Sequence, residues 1–349
     1  MDPWRTTGRA KMVNVLVTGG AGFIGSNFVR YALASHSNWQ VTTLDKLTYA
    51  GRLENLQDLL DHPRHTFVKG DVADPAVAAP LVKASDIVVH FAAETHVDRS
   101  LMSAGEFITT DVYGTFVLLE AAREARGLRR FVQISTDEVY GNVPEGASRE
   151  TGELRPRNPY AASKAGADRL AYSYWATYGV PVVITRASNN YGPYHFPEKV
   201  IPLFITNAID DIPVPLYGDG LQERDWLHVS DHCRAVDLLI DTGTAGEVYN
   251  VGGGSPVRNI ELTKRILELL GKPESLIRPV ADRLGHDRRY ALDTSKLQGL
   301  GWRPQVAFAA GLRETVAWYL QNEWWWRPIK EHDPSFRAFY DAQYGERRV

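Results

Sequence analysis

An α/β fold, with a doubly wound parallel sheet and a smaller C-terminal lobe, is predicted by three observations. From Val13 onward, short β-branched apolar runs alternate with longer stretches that carry apolar residues at helical spacing, the pattern of repeated βαβ units. A glycine-rich turn separates the first run from the helical pattern after it. After Arg186 the texture changes, and glycine and proline become frequent in PYHFPEKVIP and DIPVPLYGDG. The 349 residues suffice for about two folding units at roughly 150 residues each, and 44% hydrophobic with 23% charged residues is the balance of a chain that buries a sizeable core.

In chain order, the first strand, VNVLV at 13–17, runs into Gly19-Gly20-Ala21-Gly22-Phe23-Ile24-Gly25 and a helical pattern beginning SNFVRYAL. Glycine is required where a chain turns sharply and where its backbone approaches a pyrophosphate, whose charge then sits at a helix N-terminus. The second strand, VTTL at 41–44, ends at Asp45, 20 residues past Gly25, where a carboxylate accepts from a ribose 2′-hydroxyl. Strand, turn, helix and acid together predict a Rossmann-type dinucleotide site, and the acid favours NAD over NADP. Lys46 follows directly and offers a phosphate an alternative partner. The third strand, HTFVK at 65–69, ends at Gly70-Asp71, where Asp71 either caps an adenine ring or is a solvated strand-end acid.

The fourth strand is DIVVHF at 86–91, followed by a helix over 107–124; the fifth is RFVQI at 130–134. Ser135-Thr136-Asp137-Glu138 follows it, on the carboxyl edge where α/β sheets place ligands. Adjacent side chains diverge, so Asp137 and Glu138 can address different atoms of one substrate, one protonated and one ionised; a solvated strand-end pair or a turn cap is the plainer alternative. A helix over 160–178 precedes the sixth strand, VVIT at 182–185, and carries Tyr160 and Lys164 one turn apart. There the lysine cation and an oxidised nicotinamide would lower the phenol's pKa toward neutrality. Past the sixth strand, helices are expected over 259–270, with Asn259 as N-cap, and 308–322. Trp324-Trp325-Trp326 reads as packing. The expected division is a disordered extension at 1–11, an NAD-binding domain at 12–186, and a lobe at 187–349 with some segments returning to the first domain.

Composition removes several function classes. Lys plus Arg number 39 against 42 for Asp plus Glu, a net charge of −3 that does not favour nucleic acid as a partner. Cys233 is the only cysteine, so neither an intrachain disulfide nor a thiolate metal cluster is possible, and a reducing cytoplasm is expected. No apolar run approaches the roughly 20 residues of a membrane span, and no histidine or carboxylate cluster has metal-ligand spacing.

The blocks GGAGFIGSN, DKLTYAGRLENL, AAETHVDRS, STDEVYG, YAASKAGAD, SNNYGPYHFPEKVIPL, YGDGLQERDWLHVSDHC, YNVGG and DRLGHDRRYALD together resemble the dTDP-glucose 4,6-dehydratases, a nucleotide-sugar branch of the extended short-chain dehydrogenase/reductase superfamily. The resemblance runs from about Met12 to the end, with one departure at Leu284, where the family usually shows proline. It implies a homodimer paired through a four-helix bundle, for which 107–124 and 160–178 are the candidate helices, a nucleotide-sugar substrate bound by the C-terminal lobe, and a tightly held NAD returned unchanged after each turnover. Tyr160 would take the O4 proton, Glu138 the C5 proton, and Asp137 would protonate the departing C6 hydroxyl. Thr136 would bond the O4 region, and Lys164 the nicotinamide ribose.

Carried over by motif, cofactor contacts fall on Gly19, Gly22, Phe23, Ile24, Gly25, Asp45, Lys46, Leu47, Thr48, Asp71, Val72, Ala92, Ala93, Glu94, Thr110, Tyr160, Lys164 and Asn190. Substrate contacts fall on Thr95, Thr136, Asn189, Lys199, Val200, Pro215, Tyr217, Arg224, Asn250, Asp282, Arg283 and His286. Without the resemblance, Lys199 and Arg224 would read as surface charges or salt-bridge partners, and His286 as structural or solvated. Three alternatives stand beside the dehydratase: a UDP-sugar 4-epimerase, in whose family both carboxylates are generally absent; a UDP-glucuronate decarboxylase, in whose loop the acid at 137 is missing; and a non-catalytic NAD-binding sensor, which has no need of Thr136, Tyr160 and Lys164 together.

Overall fold

The computed structural model describes residues 11–345, so the extension expected at 1–11 lies, but for Lys11, outside the described residues. Six strands stand where the apolar runs place them: β1 (Val13–Thr18), β2 (Trp39–Asp45), β3 (His65–Lys69), β4 (Ile87–His90), β5 (Arg130–Thr136) and β6 (Val182–Ala187). A seventh, Val248–Val251, joins from beyond the change of texture and pairs with β6, Val248 opposite Ile184. It is four residues long, too short for its alternation to stand out from the surrounding loops. All neighbours are parallel, in the order Val248–Val251, β6, β5, β4, β1, β2, β3. The direction of winding reverses between β1 and β4, and their carboxyl ends open the crevice in which such sheets bind ligands.

Helices cover both faces, which is why the central strands are apolar on both sides. Val15 and Val17 of β1 pack with Phe28 and Val29 of α1 (Phe23–Ser35) and with Val236 of the helix Val229–Thr242. Leu16, between them, points the other way, toward Val82 of α2 (Pro75–Lys83) and Leu118. Beyond β4 come α3 (Val97–Met102), α4 (Ala104–Phe107), a wider π-type stretch at Ile108–Tyr113 and α5 (Gly114–Glu124), so the helix expected over 107–124 is locally unwound in its first part. α6 (Pro159–Tyr178) carries clear end signals. Asn158 accepts from the Ala161 amide at 2.8 Å, Pro159 occupies the first turn, and Gly179 closes the helix in the left-handed conformation at φ 72°.

A second core gathers Tyr191, Phe204, Leu216, Trp226, Leu262, Leu312, Tyr319 and Trp326, under a three-stranded and a two-stranded sheet. Two local expectations are corrected here. Asn259 is the first residue of the helix Asn259–Leu269, whose cap is Arg258, and its side chain caps nothing. Trp325 and Trp326 are buried, with indole N–H groups on Asn55 and on the Tyr319 carbonyl, whereas Trp324 is half exposed, its indole N–H on the Asn322 side chain.

Candidate active site

A cleft of about 390 Å³ runs along the carboxyl edge of the sheet into the second core. Its first wall is the glycine turn. Gly19 sits at φ 69°, and a Cβ there would lie 2.5 Å from the Ala92 amide nitrogen; at Gly25 it would lie 2.3 Å from the Gly19 carbonyl oxygen. Only glycine allows β1, β4 and α1 to meet so closely, and α1 begins without a capping side chain or an acid in its first turn. Its N-terminal N–H groups and positive end therefore face the cleft, a surface suited to a pyrophosphate.

Asp45 accepts from the amides of Ala21 (2.9 Å) and Leu47 (2.8 Å), one on each carboxylate oxygen, which leaves lone pairs on both for a ribose diol. This donor set and the bare turn fit NAD. Lys46 pairs with Asp71 at 2.7 Å, and that pairing lowers the acid and raises the lysine; the lysine is thus engaged with an acid, and Asp71 is not merely a solvated strand end. Leu47 is held at φ 58° and does not line the cleft; its amide fixes Asp45 instead. The other expected cofactor residues, from Phe23 to Asn190, all line the cleft.

The expected catalytic groups cluster where β5 ends. Thr136 caps a short turn, Asp137–Tyr140, by accepting from the Glu138 amide, so neither carboxylate is a cap. Neither is solvated: Asp137 is 2% and Glu138 9% exposed. Burial, then Glu138 and Asp225 as like charges, push the Asp137 carboxyl well above the carboxylate range, and its Oδ2 has no partner within the chain. Both causes favour the protonated form of Asp137. Glu138 Oε2 faces the Tyr290 hydroxyl at 3.4 Å.

The Tyr160 phenol stands among acids. Burial raises it well above its ordinary value, Glu138 and Asp111 raise it further, and the Thr136 hydroxyl only partly offsets them. Lys164 does not dominate, because its ammonium donates to the Ile134 carbonyl at 2.7 Å. Behind this pair, Asp111 accepts from the Glu94 amide (2.8 Å) and from the Ser163 hydroxyl (2.6 Å), joining the loop after β4 to α6. Sequence reading missed Asp111, which sits in the π-type stretch with no motif around it.

At the far end, Lys199, Arg224 and Arg283 face one space. Arg224 is buried, donates to the Glu223 and Asp287 carbonyls and lies over the Tyr290 ring at 4.3 Å; Lys199 donates to the Thr95 carbonyl. Both are held by neutral oxygens rather than paired with a carboxylate, so their charge remains for an anion. Pro215, Tyr217, Val200, Asn189 and His286 line the same end, and burial lowers His286 to about 4, leaving it neutral. Two expected substrate residues stand elsewhere. Asn250 is fully buried, accepting from Tyr140 and donating to the Ser148 and Asp293 carbonyls, which fastens the seventh strand. Asp282 stands outside the lining and positions His286 from behind at 2.6 Å. Asn259, read in sequence as a cap, lines the cleft with its Oδ1 unpartnered. Among the described residues no group of three or more metal-ligating side chains forms, and no helix is long and apolar enough to cross a membrane.

Comparison with known proteins places these features in a family. A family profile described as GDP-mannose 4,6 dehydratase matches residues 16–315. A dTDP-glucose 4,6-dehydratase of Streptomyces niveus is 54% identical over 335 residues, covering 95% of this chain and 99% of that one. The crystal structure of a dTDP-glucose 4,6-dehydratase from Streptomyces venezuelae, with NAD and dTDP bound, superposes with a TM-score of 0.89 at 51% identity, over 91% of this chain and 100% of the other. A UDP-glucose 4-epimerase of Thermus thermophilus in complex with NAD reaches a TM-score of 0.81 at 34% identity, over 88% of this chain and 99% of its own. The backbone is thus shared by both chemistries, and the side chains must separate them.

Proposed function

The chain belongs to the family described as GDP-mannose 4,6 dehydratase, and we propose that its reaction is the NAD-dependent dehydration of dTDP-glucose to dTDP-4-keto-6-deoxyglucose. The observation that carries this reading is the buried acid pair, Asp137 beside Glu138, in a cleft that also holds Tyr160 and, at its far end, Lys199, Arg224 and Arg283. The glycine turn, Asp45 and Lys164 would hold NAD, which in oxidised form would supply hydride acceptance at C4 and hydride return at C6, and a positive ring that favours ionisation of Tyr160.

Tyr160 takes the proton of the O4 hydroxyl, with Thr136 beside it to bond the oxygen as it becomes a ketone. The ketone acidifies C5–H; Glu138 takes that proton and gives it back to C5 when hydride adds at C6. Asp137, still carrying its own, protonates the C6 hydroxyl as it leaves as water. An epimerase needs neither acid. Lys199, Arg224 and Arg283 suit the diphosphate, the two arginines through planar forks of donors. Asn259 offers an acceptor to the base.

The proposed site uses one chain, but the assembly is a homodimer in this reading. Ile108, Tyr113, Phe116, Tyr172 and Tyr178 are exposed along the 108–124 segment and α6, an apolar face that suits a four-helix pairing. A cytoplasmic setting accords with Cys233, a buried free thiol.

The test is incubation of the protein with dTDP-glucose, UDP-glucose, CDP-glucose and UDP-glucuronate without added reductant, each followed by mass spectrometry. Selective loss of water from dTDP-glucose is expected; carbon dioxide from UDP-glucuronate, or no change, refutes the reading. Asp137→Asn should stop water loss while C4 oxidation persists, seen as accumulation of reduced cofactor absorbance. Full turnover by that variant would exclude the acid role.

A further inference from the structure

The nucleotide end of the cleft is closed by a segment far from it in sequence. The wide turn Asp341–Gly345 brings Tyr344 onto the lining, 8% exposed and packed edge to face on Tyr340. Gln343 Nε2 donates to the Tyr217 hydroxyl oxygen, and the Tyr344 and Tyr217 hydroxyls face each other at 3.5 Å. Tyr217 donates in turn to Asp98 Oδ2 at 3.3 Å, and Asp98 Oδ1 stands 3.8 Å from the Arg283 guanidinium. A phenol has one proton and two lone pairs. At Tyr217 the proton is used on Asp98, and the lone pairs face Gln343 and Tyr344.

This arrangement decides what Arg283 can do. Asp98 is 4% exposed and is the carboxylate beside Arg283. Shared with Tyr217, it keeps the guanidinium at long range, and the Arg283 Nε has no partner in the chain. Released from Tyr217, Asp98 would be free to close on Arg283 as a tight fork, and the cation would be withdrawn from an incoming anion.

Building on the nucleotide-sugar reading above, we propose that Gln343 and Tyr344 are positioning residues for the diphosphate: they hold Tyr217 on Asp98 and so keep Arg283 available to the phosphates. The experiment compares wild-type protein with Gln343→Leu, which keeps volume and loses the donor, and Tyr344→Phe, which keeps the ring and loses the hydroxyl. Measured for each are kcat and KM for dTDP-glucose, dTDP affinity by calorimetry, NAD content and melting temperature. In Gln343→Leu, KM and the dTDP dissociation constant should rise together by about five- to tenfold, the scale of one hydrogen bond, with a smaller rise in Tyr344→Phe. NAD content should not change, and kcat should stay within about twofold, because the shifted contact acts on binding rather than on the reacting atoms. Unchanged KM and dTDP affinity in both variants overturn the proposal, as does a fall in NAD content and melting temperature in step with kcat, which would make the turn a clasp for the fold alone. The two readings fail separately: wild-type protein that neither binds dTDP nor dehydrates dTDP-glucose refutes the function, whereas wild-type protein that does both, matched by its variants, refutes only the positioning role.

Discussion

A tyrosine buried among carboxylates is a poor base, and Tyr160 is such a tyrosine until a positive charge is set against it. The same burial raises Asp137, so one environment acts on both groups: it favours a proton on the acid and opposes ionisation of the phenol. Glu94, on the cofactor side, shows the stability consequence. Burial, then Asp111 and Glu106, raise it from 4.5 to about 7. Its folded pKa lies above its unfolded value, so between about pH 4.5 and 7 the folded chain keeps a proton that the unfolded chain releases, and stability falls as pH rises through that window. Glu94→Gln removes this fall. Relative to wild type it should gain about 3 kcal/mol between pH 4 and pH 8 in urea denaturation, since each pKa unit is worth roughly 1.4 kcal/mol. An equal difference at both pH values would contradict the assignment.

Elements carry these residues to one place through their ends. β5 delivers Thr136, Asp137 and Glu138 at its carboxyl end, and α6 delivers Tyr160 and Lys164 in its first turns, directly after the Asn158 cap. Asn158→Ala should cost about 1 kcal/mol of stability through the lost cap and loosen the turn that aims Tyr160. A lower melting temperature with a fall in kcat larger than any change in KM is the expected result. Legibility follows the same division. α6 was readable because apolar residues recur at helical spacing over 160–178, and the glycine turn because steric demand at Gly19 and Gly25 admits no substitute. The π-type stretch at Ile108–Tyr113 was not, because a helix of altered pitch keeps nearly the same apolar spacing.

At the scale of the molecule, an apolar face on the 108–124 segment and α6 stands uncovered on a single chain, and the proposed dimer would bury it. Sedimentation should find two copies in solution, and Phe116→Glu with Ile108→Glu should give monomers, because two buried charges per chain would face their like across the interface. A double variant that remains dimeric would place the interface elsewhere. The sequence by itself determined the parallel sheet of six strands and the dinucleotide turn with its acid, which rest on spacings of a few residues, while the resemblance to a family pointed to Thr136, Asp137, Glu138, Tyr160 and Lys164. The tertiary structure alone decided that Val248–Val251 completes the sheet, that Asn250 is a strut, that Lys199, Arg224 and Arg283 share one space, and that Tyr344 reaches Tyr217 across 127 positions. Those outcomes depend on where the chain returns after long loops, and on burial, which fixes a carboxyl's charge only once every neighbour is in place.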